Sequence, residues 1–179
     1  MSALLASAFE LGTFNPEGGT VPAAAQANLR DLHAVLLQVQ AVLGGAPLIV
    51  TSGYRDPAHN VEVGGVPQSQ HLDGSAADVV VQGMELPVVA RRIRAAITRG
   101  DLALGQVIYY PTELAPGVNK GHVHIGLPNR DSHNRQLIHL GGNTYVDLNP
   151  ANWPAYAQLG VGAGLVALLA IALLLLGHD

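Results

Sequence analysis

Apolar residues recur at three- and four-residue steps over residues 22–43, where Leu29, Leu32, Leu36, Val39 and Leu43 fall on one face. That spacing predicts an amphipathic helix. Pro22 suits its first turn, Thr20 can cap nearby, and Gly44 and Gly45 stop it. The run PLIVTS at 47–52 then predicts a buried strand. Asp56 followed by Pro57 starts a short helix, with the acid as cap and the proline at the first position, and Gly64-Gly65 ends it. Residues 76–81 are rich in valine and predict a second strand. Residues 86–99 predict a second long helix closed by Gly100, and 106–110 and 122–127 two further strands around a loop holding Pro111 and Pro116. The last two strands can pair antiparallel. The order predicts an α+β domain: a small mixed or antiparallel sheet with helices packed on one face.

The same pattern divides the chain. Residues 1–21 read as an irregular lead-in with Pro16, Gly18 and Gly19, 22–140 as the compact domain, and 141–154 as a connector. Residues 155–177 read as a single C-terminal transmembrane helix. Within it, LGVGAGLVALLAIALLLL at 159–176 carries no charge. A helix of about 20 apolar residues, rising about 1.5 Å each, spans a ~30 Å hydrocarbon core. Trp153 and Tyr156 stand where interfacial aromatics belong. Gly160, Gly162 and Gly164 permit close helix packing, hence a possible oligomer. No Lys or Arg follows Arg135, so loop charge gives no orientation. Residues 1–10 lack a basic start and end their apolar run at Glu10, unlike a signal peptide.

Composition narrows the chemistry. The 179 residues suffice for one domain with a real core. Charged residues make up only 12%, against about 25% in typical domains. Thirteen acidic and nine basic residues leave a net charge of -4. Lys120 is the sole lysine, and Arg91, Arg92, Arg94 and Arg99 fall on one helix as a solvated face. Nucleic acid is therefore not an expected partner. With no cysteine, disulfides, a thiol nucleophile and thiolate zinc sites are excluded.

Histidine and aspartate remain. His71 and Asp78 flank an Asp73-Gly74 turn in SQHLDGSAAD. His122 and His124, in GHVHIG, lie two apart on a predicted strand and so share a face. Brought together, these groups form a nitrogen and oxygen metal site. Three protein ligands leave zinc an open position for water, the mark of a catalytic site. His-x-His alone is a weak signal, and His33, His59, His133, His139 and His178 read as packing or surface residues.

The segment SGYRDPAHNVEVGGVPQSQHLDGSAADV resembles the signature of the zinc D-alanyl-D-alanine carboxypeptidase family, which includes phage endolysins and shares its fold with the hedgehog signalling domain. The motif S-x-H-x-x-G-x-A-x-D appears as Ser69, His71, Gly74, Ala76 and Asp78. The resemblance covers roughly residues 8–140. It implies Zn2+ held by His71, Asp78 and His124, and a peptidoglycan peptide as substrate. It implies that Arg55 faces the active site, where a guanidinium suits a substrate carboxylate or an oxyanion; a structural salt bridge is the other possibility. Ser69 either orients the loop of His71, binds substrate, or serves as a turn residue. Many members carry an acid three positions before the last zinc histidine. Gly121 stands there in this chain, which leaves His122 as the expected general base and Glu113 as the alternative carboxylate. Together the features suggest a membrane-anchored cell-wall peptidase, its domain facing the wall, fitting a virus-encoded protein of a virion membrane or lysis system. A zinc-containing module without activity, binding cell wall or a membrane partner, is the alternative.

Overall fold

The structure, a computed structural model of the chain, describes residues 3–16, 18–111, 121–128, 135–139 and 145–148. Its elements are β1 (Ala3–Leu4), α1 (Leu11–Phe14), α2 (Ala23–Val42), β2 (Leu48–Ser52), α3 (Pro57–Glu62), a 3-10 turn (Gln70–Asp73), β3 (Ala76–Val81), α4 (Leu86–Arg99), β4 (Gln106–Tyr110), β5 (His122–Gly126), β6 (Arg135–His139) and β7 (Tyr145–Asp147). The strands form one sheet in the order β1-β2-β3-β5-β4-β6-β7. Every adjacent pair is antiparallel except β4 and β6, which are parallel, so the sheet is mixed.

Period-two alternation gives the sheet two chemically distinct faces. Ala77, Val79 and Val81 of β3, Val107 and Tyr109 of β4, Val123 and Ile125 of β5, and Ile138 of β6 join the apolar core. Leu29, Leu32, Leu36 and Val39 of α2 and Val89, Ala90, Ile93 and Ala96 of α4 close over that face, all but fully buried. The intervening residues, Asp78, Ile108, Tyr110, His122 and His124, fall on the opposite face. The α+β class, the mixed sheet and the helices on one face follow the expectation from the sequence.

Several details differ. β1 and α1 lie in the stretch expected to be irregular; Leu5 and Phe14 are buried in the core, and Leu5 N donates to Leu48 O at 2.8 Å. His33, buried, is held by Ala6 O at 2.9 Å and lies edge-on between Phe9 and Phe14. Pro22 is itself the N-cap of α2, with no side-chain cap bond, so Thr20 does not cap it. β6 was not anticipated, and β7 falls in the stretch read as a connector. Among the described residues no helix is long and apolar enough to cross a membrane. The apolar segment 155–177 lies outside the described residues, as does Glu113.

Candidate metal centre

Two local devices bring His71 to the sheet. Ser69 caps the 3-10 turn, its Oγ accepting from His71 N at 3.4 Å. Gly74 ends the turn at φ 75°, and a Cβ there would sit 2.6 Å from Ala25 O of α2. Only glycine meets both demands. The residues after β2 then lock the ring. Arg55 N donates to His71 O at 3.0 Å, and His71 Nδ1 lies 2.7 Å from Gly53 O. A carbonyl only accepts, so Nδ1 is the donor there, and Nε2 is the ring nitrogen left to face Asp78 and His124. Gly53 is required because its backbone packs against Phe14: a Cβ would overlap the Phe14 carbonyl, which accepts from Tyr54 N at 2.7 Å.

Strand register supplies the other groups. β3 pairs with β5 so that Asp78 stands opposite His124, and His122, two residues from His124 on β5, shares its face. Asp78 Oδ1 lies 3.0 Å from His124 Nδ1, 3.3 Å from His71 Nε2 and 3.5 Å from His122 Nε2. His71 Nε2 and His124 Nδ1 are 3.2 Å apart. All four side chains are buried.

The donor set fits a zinc ion. Tetrahedral coordination at about 2.0–2.1 Å separates neighbouring ligand atoms by about 3.3–3.4 Å. The His71, Asp78 and His124 atoms span 3.0 to 3.3 Å. They also form a group able to hold a metal on the criterion of mutual distance. One proton on His124 Nδ1 can satisfy one contact only, whereas a divalent cation satisfies all three. If Nδ1 gives its lone pair to a metal, the ring proton sits on Nε2, which is buried without a hydrogen-bond partner among the described residues.

Asp78 is also gripped from behind. Arg55 Nη2 donates to Asp78 Oδ2 at 2.5 Å, and Arg55 Nε donates to Ser52 Oγ at 2.8 Å. Thr51 Oγ1 donates to Asp78 O at 3.0 Å. Burial alone would raise the Asp78 carboxyl; the charges of His71 and His122, with hydrogen bonds from His124 and His71, outweigh it and hold the carboxyl well below its ordinary value. Burial lowers the His124 pKa, and the neighbouring Asp78 only partly offsets this. The site at neutral pH therefore holds a carboxylate and a neutral His124, the protonation states a metal takes.

The structure thus brings together His71, Asp78, His124, His122 and Arg55, with Ser69 beneath the turn. Arg55 occupies the salt-bridge alternative, bound to the back of Asp78. What the sequence did not single out is the neighbourhood of His122. Its ring stacks on Tyr110 with centroids 4.5 Å apart at 22°. Tyr110 in turn meets His139, 4.7 Å away, and His139 meets Tyr145 at 5.1 Å. Burial first, then the hydrogen bond with Tyr145, pushes the Tyr110 hydroxyl far above its usual range, so it stays a neutral phenol. The period-two placement of Tyr110 and His122 was the available signal, but His139 needed the unanticipated β6.

No curated protein matches the chain. The family model described as Peptidase M15 matches residues 5–109, a span that includes Arg55, Ser69, His71 and Asp78 and stops before His122 and His124 on β5. That match, over more than half of the chain, makes this protein, with its buried His71, Asp78 and His124 group, a member of the Peptidase M15 family of zinc-dependent metallopeptidases.

Proposed function

We propose that the chain hydrolyses peptide bonds in the peptide part of bacterial peptidoglycan, as a D,D-carboxypeptidase or an endopeptidase. The observation that supports this reading is the convergence of His71 Nε2, His124 Nδ1 and Asp78 Oδ1, with His122 Nε2 alongside at 3.5 Å from the same carboxylate oxygen. When bound there, zinc supplies Lewis-acid polarisation of the scissile carbonyl and acidifies water. His71, Asp78 and His124 would hold the ion. Arg55 and Ser52 fix the carboxylate so that Oδ1 faces the imidazoles. His122 is the base: it takes the proton from the attacking water and returns it to the leaving amine. Stacking on Tyr110 holds the His122 ring in the pose this transfer needs. Ser69 acts by shaping the turn that carries His71.

Gly121 favours a second reading, because it leaves an acid missing from the place where many relatives carry one. In that reading the site binds zinc without hydrolysis, and the domain recognises cell wall or a membrane partner. Purified peptidoglycan digested by the full chain separates the two. Release of amino groups that stops with chelator and returns with zinc supports the enzyme; zinc-loaded protein that releases none sinks it.

The apolar 155–177 segment supports a membrane anchor, with the catalytic domain facing the wall and association through the glycines as a further consequence. An anchored wall peptidase fits a virus-encoded protein used in penetration or lysis. Partition of the full chain into detergent and vesicles tests the anchor; full recovery in the aqueous phase contradicts it.

A further inference from the structure

The face of the sheet that carries the metal centre continues beyond it. β5 and β4 pair Tyr110 with His122, and β6 and β7 pair His139 with Tyr145. β4 and β6 run in register through Tyr109 and Ile138, which sets the following residues, Tyr110 and His139, side by side. Four strands therefore contribute one ring each to a single transverse row: His122, Tyr110, His139, Tyr145. The ring contacts follow this order, with centroids at 4.5, 4.7 and 5.1 Å. Exposure rises along it: His122 is buried, Tyr110 and His139 are half-buried, and Tyr145 is 39% exposed.

A packing role alone does not explain the composition of this row. The core face of the same strands is filled by Val107, Val123, Ile125 and Ile138. The opposite face carries rings with polar edges. The rings lie against one another, and a hydrogen bond between Tyr110 and Tyr145 ties the row together along its length. Such a row presents apolar ring area beside polar ring atoms, most openly at Tyr145, a chemistry that suits a peptide backbone with small side chains.

We propose that Tyr110, His139 and Tyr145 form a substrate subsite for the peptide chain on one side of the scissile bond, running from the metal centre to the β7 edge. The inference rests on the peptidase reading and deepens it: a bond at the metal centre has its flanking residues laid along the row. The occupant is the substrate's own peptide because the row is continuous with His122, so a chain bound at the metal meets Tyr110 next. It makes the protein selective for extended peptides over minimal ones.

The test uses the full chain, loaded with zinc, and the bond it is found to cut in peptidoglycan. Two synthetic peptides contain that bond, one of two residues and one extended by three residues on each side. The wild-type protein and the H139A and Y145A variants are compared by kcat/KM on both, with zinc content measured for each. Each ring contact contributes about three- to tenfold in an equilibrium, the scale of an aromatic pair. The expected result is a three- to tenfold fall in the long-to-short ratio of kcat/KM, carried by KM for the long peptide. A purely structural role depresses both substrates together and leaves the ratio unchanged, and that result overturns the subsite. A wild-type ratio near one overturns it equally. A variant that has lost zinc is replaced by the milder H139Q or Y145F, judged by the same ratio. If the wild-type protein with zinc bound cuts neither peptide nor peptidoglycan, the peptidase reading itself fails and takes the subsite with it.

Discussion

Arg55 offers a perturbation whose size can be worked from two contacts. Replacing it with Leu keeps much of the side-chain volume but removes the donor to Asp78 Oδ2 at 2.5 Å and the donor to Ser52 Oγ at 2.8 Å. The Asp78 side chain is 7% exposed and that of Arg55 is 15% exposed. Removing one partner of a buried ion pair costs about 3–5 kcal/mol, because the other charge is left uncompensated. The partial exposure of Arg55 and the remaining histidines around Asp78 place the metal-free protein at the low end, about 3 kcal/mol. For a domain of this size that corresponds to a fall in Tm of about 6–12 °C. In the zinc-loaded protein the ion takes over part of the compensation, so the loss shrinks. The carboxylate, no longer held from behind, costs the site about 10- to 100-fold in zinc affinity, as supporting-group removals do. R55K separates charge from geometry: one ammonium cannot reproduce the fork to Ser52 and Asp78, so its zinc affinity falls between wild type and R55L. Thermal unfolding with and without zinc, and competition with a chromogenic chelator, measure both quantities. An R55L protein with wild-type Tm and zinc affinity would refute the assignment of Arg55 as the support of Asp78.

Other outcomes follow from the same geometry. H71A, D78A and H124A each lose stoichiometric zinc and all hydrolysis, whereas H122A retains zinc and loses about 10²- to 10⁴-fold in kcat; zinc analysis beside activity checks the split. Both Asp78 and His124 have folded pKa values depressed below their unfolded ones. The native state therefore binds fewer protons, and their stabilising contribution, complete above the unfolded values, is lost as pH falls through them. Denaturant unfolding of metal-stripped protein should show stability declining as pH drops below about 6.5, where His124 first differs, and again below about 4, where Asp78 does; a flat profile contradicts the buried neutral His124. G53A forces a Cβ into the Phe14 carbonyl and disturbs the acceptor of His71 Nδ1. It should cost about 1–3 kcal/mol in stability and weaken zinc binding together, read by unfolding and chelator competition.

The long helices α2 and α4 and the central strands were legible because their patterns are unambiguous. The stripe from Leu29 to Leu43 and the valines of 76–81 fit one period each. β6 and β7 were not, since RQLIH and YVD are short, and β6 gains its place only by pairing in parallel with β4, a contact distant in sequence. The lead-in was misjudged for a related reason: Leu5 and Phe14 lie in short apolar stretches without a clear period, and they join a core built with α2 and β2. At the site, His71, Asp78 and the His122–His124 pair were visible through spacing. The destination of Arg55 was not. It depends on Ser52 standing across from Asp78 where the β2–β3 register shifts between Val50 and Ser52. The row through Tyr110, His139 and Tyr145 likewise exists only once four strands are placed in register.

X-ray absorption at the zinc edge of the zinc-loaded full chain tests the central claim most directly. A site built from His71, Asp78 and His124 gives nitrogen and oxygen neighbours alone at about 2.0–2.1 Å, with the multiple scattering of two imidazoles, and H122A, which retains zinc, keeps both. A spectrum with fewer than two imidazoles, or one that loses an imidazole in H122A, would place the metal elsewhere and contradict the account.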